Sequence, residues 1–161
     1  MTHILLTDIR PVLEYVSVVW NTDCNEDVRR LKSVQIHWTR HIKDLGNKEY
    51  GVRLRALNVL YSVKDRFLRA DLIKCWEAFH GLSPTVPSDF MDLTSDRRTR
   101  GNRYRIKVRR CQLDTTARFF SERVVNDWHA LPNWAVSSTS LREFKFFLAS
   151  ALGRRLYECL P

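Results

Sequence analysis

The sequence predicts a mainly α-helical protein, a helical bundle that carries one small basic β-strand or ribbon near residues 103–113. Three observations lead there. Apolar residues recur at intervals of three and four over most of the chain, the period of a helix face. Capping residues open these stripes, and glycine or proline closes them. Between Arg103 and Arg109 the period changes to two, which is that of a strand. With 161 residues, 44% of them apolar and 28% charged, the chain is long enough to bury a core as one domain, or as one with a small appendage.

Ile4 to Trp20 is dense in apolar residues, and Pro11 either kinks one helix or starts a second at its first turn. Val12, Leu13, Tyr15, Val16, Val19 and Trp20 leave few polar faces, so this stretch is expected to be mostly buried. Asp23 and Glu26 have the spacing of a capping box. Val28, Leu31, Val34, Trp38, Ile42 and Leu45 then form one apolar stripe, ended by Gly46-Asn47. Its opposite face carries Arg29, Arg30, Lys32, Arg40 and Lys43, which a solvated helix face explains and a phosphate-contacting face also fits.

A shorter amphipathic piece covers Tyr50 to Leu57. Ser62, three residues before Asp65, suits the N-cap of a long helix with Val63, Phe67, Ala70, Ile73 and Trp76 or Phe79 inward, terminated by Gly81 and Pro84. The Pro, Ser, Thr and Asp content of residues 83–96 predicts a linker, with one helical turn at Ser88 to Met91. It would separate a helical region, 1–82, from a second region, 97–161. In that second region a strand would turn Tyr104, Ile106 and Val108 inward and pair back on Cys111 to Leu113. Asp114 and Thr115 can cap a helix with Phe120, Val124, Trp128 and Leu131 on its buried stripe, stopped by Pro132. Ser140 and Glu143 open a last helix that buries Leu141, Phe144, Leu148 and Leu152 before Gly153.

The net charge of +9 is concentrated. Arg97, Arg98, Arg100, Arg103, Arg105, Lys107, Arg109 and Arg110 lie within fourteen residues that contain no acid, so eight of the nine units sit there. Outward cations on a strand would be spaced about 6.6 Å apart. Arginine presents a planar fork matched to phosphate, and clustered cations gain affinity by releasing counterions. These eight residues are therefore the candidate nucleic-acid-binding site, with salt-sensitive and largely sequence-independent binding. The other use of such a row is a guard on an edge strand against sheet-to-sheet pairing.

No catalytic constellation accompanies it. There is no G-x-S-x-G elbow, no phosphate-binding glycine loop and no paired carboxylates in a strand-turn setting, so a non-catalytic protein is expected, without cofactor or metal. His37 and His41 share a helix face, but Trp38 stands where a zinc protease needs its glutamate, and no third ligand follows at a suitable spacing. Cys24, Cys75, Cys111 and Cys159 are scattered and read as reduced thiols of an intracellular protein, nuclear or cytoplasmic. No signal peptide or membrane span is expected, and no membrane partner.

Several short motifs also stand in a suggestive order. They are Arg10-Pro11-Val12-Leu13-Glu14-Tyr15 with Val19-Trp20, Val34-Gln35 with Thr39, Arg69 to Ile73, and Gly81-Leu82. Further on come Arg97-Arg98-Thr99-Arg100-Gly101, Phe119-Phe120, Arg123-Val124-Val125-Asn126 with Trp128, Leu131-Pro132, Ser140 and Phe144-Lys145. Together they resemble the C-terminal region, thumb and post-thumb, of non-LTR (LINE-type, jockey-like) retrotransposon reverse transcriptases. The resemblance covers nearly the whole chain. His129 departs from it, since the family usually has Asn after the Trp. The upstream fingers and palm, the YADD-type aspartate pair, the endonuclease and the Cys/His knuckle have no counterpart here.

The resemblance implies a piece of an RNA-directed DNA polymerase that lacks the polymerase site. Residues 1–82 would be thumb-like, and RNA or an RNA–DNA hybrid would be contacted through its backbone. A rival expectation is a relic or protein-interaction module that packs on a polymerase palm; it predicts a large exposed apolar patch on the first helix.

Overall fold

The computed structural model describes residues 7–8, 10–21, 24–57, 62–94, 104–110 and 113–158. The protein is mainly α-helical, with no sheet or barrel among the described residues. The described helices are α1 (Arg10–Glu14), α2 (Ser17–Trp20), α3 (Asn25–Arg40), α4 (Tyr50–Ala56), α5 (Val63–Phe79), α6 (Asp114–Ala117), α7 (Phe120–His129), α8 (Asn133–Val136) and α9 (Leu141–Glu158). A 3₁₀ turn, Pro87–Asp89, lies between α5 and α6. The chain forms two compact units, one of the described residues through Phe67 together with those from Leu152, the other Leu68–Ala151. The division by packing therefore falls inside α5 and α9, not at residues 83–96, whose described part belongs to the second unit.

In the first unit the apolar N-terminal stretch is two short helices. Val16 separates them at φ 49°, a left-handed conformation costly for a β-branched residue. Pro11 sits in the first turn of α1, where its missing N–H costs nothing. The expected burial is corrected here. Val12, Tyr15 and Val19 are 75 to 77% exposed, while Ser17 and Asn21 are buried. The physical reason is a buried arginine. Arg66 Nε pairs with Glu14 Oε1 at 2.5 Å and its Nη2 donates to Gln35 Oε1 at 3.3 Å, so α1 turns its polar side inward to meet it.

The same demand shapes α3. Gln35 and Thr39 are its buried residues, the latter donating to the Ile36 carbonyl at 3.0 Å, and Trp38 of the expected stripe is 37% exposed. The Asp23 cap lies outside the described residues; the position before α3 is Cys24. Past Arg40 the chain turns back so tightly that a Cβ on Gly46 would stand 2.8 Å from the Arg40 carbonyl oxygen. Buried Arg53 of α4 holds this turn by donating to the Lys48 carbonyl at 3.0 Å. Leu45 and Leu57, with Ile42 and Leu54, close a small apolar cluster.

Helix α5 begins as expected: Asp65 N donates to Ser62 Oγ at 3.1 Å, and that hydroxyl donates to Asp65 Oδ2 at 2.6 Å. It ends at Gly81, whose φ of 71° lets Leu82 N reach back to the Glu77 carbonyl at 2.9 Å. In the second unit, Leu72, Cys75 and Trp76 of α5 pack with Met91, Ile106, Val124, Val125, Trp128, Val136, Phe144 and Leu148. Burial, and then the charge of Asp71, push the Cys75 thiol well above its ordinary pKa. One buried ion pair crosses this unit: Arg123 Nε and Nη2 donate to the two oxygens of Asp71, each at 2.8 Å.

Three further expectations change. Gly153 does not end α9, which continues to Glu158, since one interior glycine costs only about 1 kcal/mol relative to alanine. The Ser140 half of the capping box is present, Glu143 N donating to Ser140 Oγ at 3.2 Å, whereas the Glu143 carboxylate accepts from Thr139 Oγ1. Among the described residues the ribbon near 103–113 reduces to one isolated antiparallel bridge. Ile106 pairs with Leu93 upstream, not with a strand at Cys111 to Leu113, of which Cys111 and Gln112 lie outside the described residues.

Candidate nucleic-acid interface

Arg97, Arg98, Arg100 and Arg103 lie outside the described residues. The structure places the other four predicted residues, Arg105, Lys107, Arg109 and Arg110, on an exposed extended stretch. Among the described residues, four hydrogen bonds hold its backbone. From the upstream loop, Thr94 N donates to the Arg105 carbonyl at 3.1 Å and Lys107 N to the Asp92 carbonyl at 2.7 Å. From α7, Trp128 Nε1 donates to the Tyr104 carbonyl at 2.8 Å, and His129 Nε2 accepts from Ile106 N at 3.3 Å. The apolar anchor is Ile106, buried in the core of the second unit.

The alternation holds where this clamp holds. Tyr104 is half-buried against Phe79 and His80, with ring centroids 5.4 and 5.0 Å away, and Ile106 is buried. Val108, expected to point inward, is exposed, because no partner strand continues the pairing beyond Lys107 among the described residues. Tyr104 thus packs on the inward face of the stretch.

The cations are not equivalent. Arg109 Nη2 and Nε contact the two carboxylate oxygens of Asp92 at 2.6 and 2.7 Å, and its Nη1 lies 3.9 Å from Glu122 Oε1. The hydrogen bond from Arg109, with the positive charges of Arg109 and Lys107, holds the Asp92 carboxyl below its ordinary pKa. The Arg109 charge is largely matched within the protein, whereas Lys107 and Arg110 stand exposed beside it. Sequence reasoning missed Asp92 and the Trp128–His129 clamp. Asp92 lies seventeen residues before its partner, a separation with no periodic signature.

Elsewhere, the basic face of α3 is partly neutralised by its own helix. Arg29 and Arg30 reach Glu26 at 2.8 and 3.5 Å, and Lys32 sits over the Tyr50 ring at 5.6 Å. The His37 and His41 rings lie 4.6 Å apart, with His41 Nδ1 2.9 Å from the His37 carbonyl oxygen. No group of three or more His, Cys, Asp or Glu that could hold a metal occurs among the described residues. No described helix is long and apolar enough to cross a membrane.

Compared with family models, with curated proteins and with solved structures, the chain matches none.

Proposed function

We propose that the protein is a non-catalytic nucleic-acid-binding module that contacts the backbone of RNA or an RNA–DNA hybrid through Arg97, Arg98, Arg100, Arg103, Arg105, Lys107, Arg109 and Arg110. The observation that carries this reading is the exposure of Arg105, Lys107 and Arg110 on a stretch pinned to the core at Tyr104 and Ile106. Cations on a fixed backbone lose less entropy on meeting phosphates than cations on a free chain. The order of short motifs, which resembles the thumb and post-thumb region of non-LTR retrotransposon reverse transcriptases, makes a template–primer duplex the preferred polyanion. On this reading the protein works inside the cell, in nucleus or cytoplasm, beside the polymerase palm of a parent polypeptide.

The test is binding of an RNA–DNA hybrid as salt rises from about 50 to about 200 mM, over which affinity should fall steeply. Replacing Arg103, Arg105 and Lys107 together with Ala should weaken binding and flatten the salt dependence. Unchanged binding by that variant, or no binding at low salt, rejects the proposal.

A second reading has its own support. Val12, Tyr15, Val19 and Trp20 are exposed on α1, α2 and the turn between them, and Asp92 engages Arg109, both of which suit a relic or protein-interaction module that packs on a polymerase core. Concentration-dependent self-association without nucleic-acid binding would favour it.

A further inference from the structure

Of the four hydrogen bonds named above on the backbone of the basic stretch, three join partners that do not titrate near neutral pH: two backbone pairs and the Trp128 indole on the Tyr104 carbonyl. The fourth is different. The Ile106 N–H donates to Nε2 of His129, so that nitrogen must carry a free lone pair, and the ring must be neutral with its proton on Nδ1. An imidazolium has no lone pair at either nitrogen and cannot accept this bond.

The charges around the ring point one way. The charge of Arg105, on the stretch that the ring holds, opposes its protonation. Lys107 follows Arg105 on the exposed side. On its own helix, Val125 and Asn126, one turn earlier, carry no charge. Asp127, two residues earlier, lies on another side of the helix. Glu122, two turns earlier, is engaged by Arg109. Burial, and then Arg105, lower the His129 pKa from its ordinary value, so the neutral, bond-accepting ring predominates at neutral pH.

We propose that His129 is a positioning residue and a proton-operated latch: neutral, it fastens the basic stretch at Ile106; protonated, it releases that one amide and adds a positive charge beside Arg105, while the bonds from Trp128, Thr94 and Lys107 keep the stretch fixed. The consequence for nucleic acid rests on the function proposed above. A bound polyanion stabilises the protonated ring, and by reciprocity protonation strengthens binding of the polyanion. The sign is fixed by the direction of the shift: the latch is closed above the ordinary histidine range and opens as pH falls through the lowered pKa.

The experiment follows the His129 ring and the Ile106 amide by NMR in the whole chain, from about pH 8 to about pH 5. The expected result is a shared midpoint, with the Ile106 amide losing exchange protection as the ring charges. An Ile106 amide that ignores the ring's titration overturns the latch, whatever the protein binds. In parallel, hybrid binding at low salt should strengthen about three- to tenfold between about pH 7.5 and about pH 5.5. His129→Gln keeps an acceptor for the amide but cannot charge, so it should bind like the original protein at the higher pH and lose this gain. A gain that persists in His129→Gln overturns the link between latch and binding. Absence of binding at both pH values rejects the nucleic-acid reading instead and leaves the Ile106 amide to decide the latch.

Discussion

The two compact units solve the burial problem in opposite ways. In the second, Trp76, Trp128, Phe144, Leu148, Val124 and Val136 are 0 to 1% exposed and form one continuous apolar core. The first buries Ser17, Asn21, Gln35, Thr39, Arg53 and Arg66 while leaving Val12, Tyr15, Val19 and Trp20 outside. A buried arginine needs partners, and satisfying Arg66 takes Glu14 and Gln35, on two different helices. What is gained is a specific arrangement rather than a large hydrophobic stabilisation. The difference teaches that apolar content decides little by itself. The N-terminal stretch is among the most apolar of the chain, yet the side chain that sets its orientation is charged.

This contrast can be broken experimentally. The largest effect is expected from Trp128→Ala, which empties the centre of the second core and removes the hydrogen bond to the Tyr104 carbonyl; a loss of about 4 kcal/mol in denaturant unfolding is expected. Asp71→Ala comes next. It strands the buried Arg123 guanidinium and should cost about 3 kcal/mol, while Asp71→Ala combined with Arg123→Met should recover much of that loss. Ser62→Ala removes the cap of α5 and should cost about 1 kcal/mol. Smallest of all, Val12→Ser and Val19→Ser should change stability by no more than about 0.5 kcal/mol, since both side chains already face solvent. A loss of about 2 kcal/mol or more there would erase the distinction between the two units.

What could be read from the sequence follows from range. Ser62 with Asp65, Gly81 and Ser140 act within a few residues of themselves, and each has the expected local role. The buried positions Phe67, Trp76, Val124, Trp128, Phe144 and Leu148 are also the ones that helical period selects. Interactions set by tertiary partners were not legible. Arg123 meets Asp71 across 52 residues, and nothing near Gln35 announces that Arg66 will need it inside. Strand pairing failed for a related reason. An alternating pattern specifies which side chains face inward, as at Tyr104 and Ile106, but not which distant segment supplies the hydrogen bonds. For the candidate site, the position of the charge was visible in the residue types; its partial cancellation by Asp92 was not.

The completely buried Cys75 offers a clock for the second unit. Thiol reagents attack the thiolate, and both burial and Asp71 keep this sulfur protonated and out of reach. Modification must therefore wait for the core around Trp76 to open, so the rate at which Cys75 is labelled times that opening directly, while half-buried Cys24 reports on the first unit.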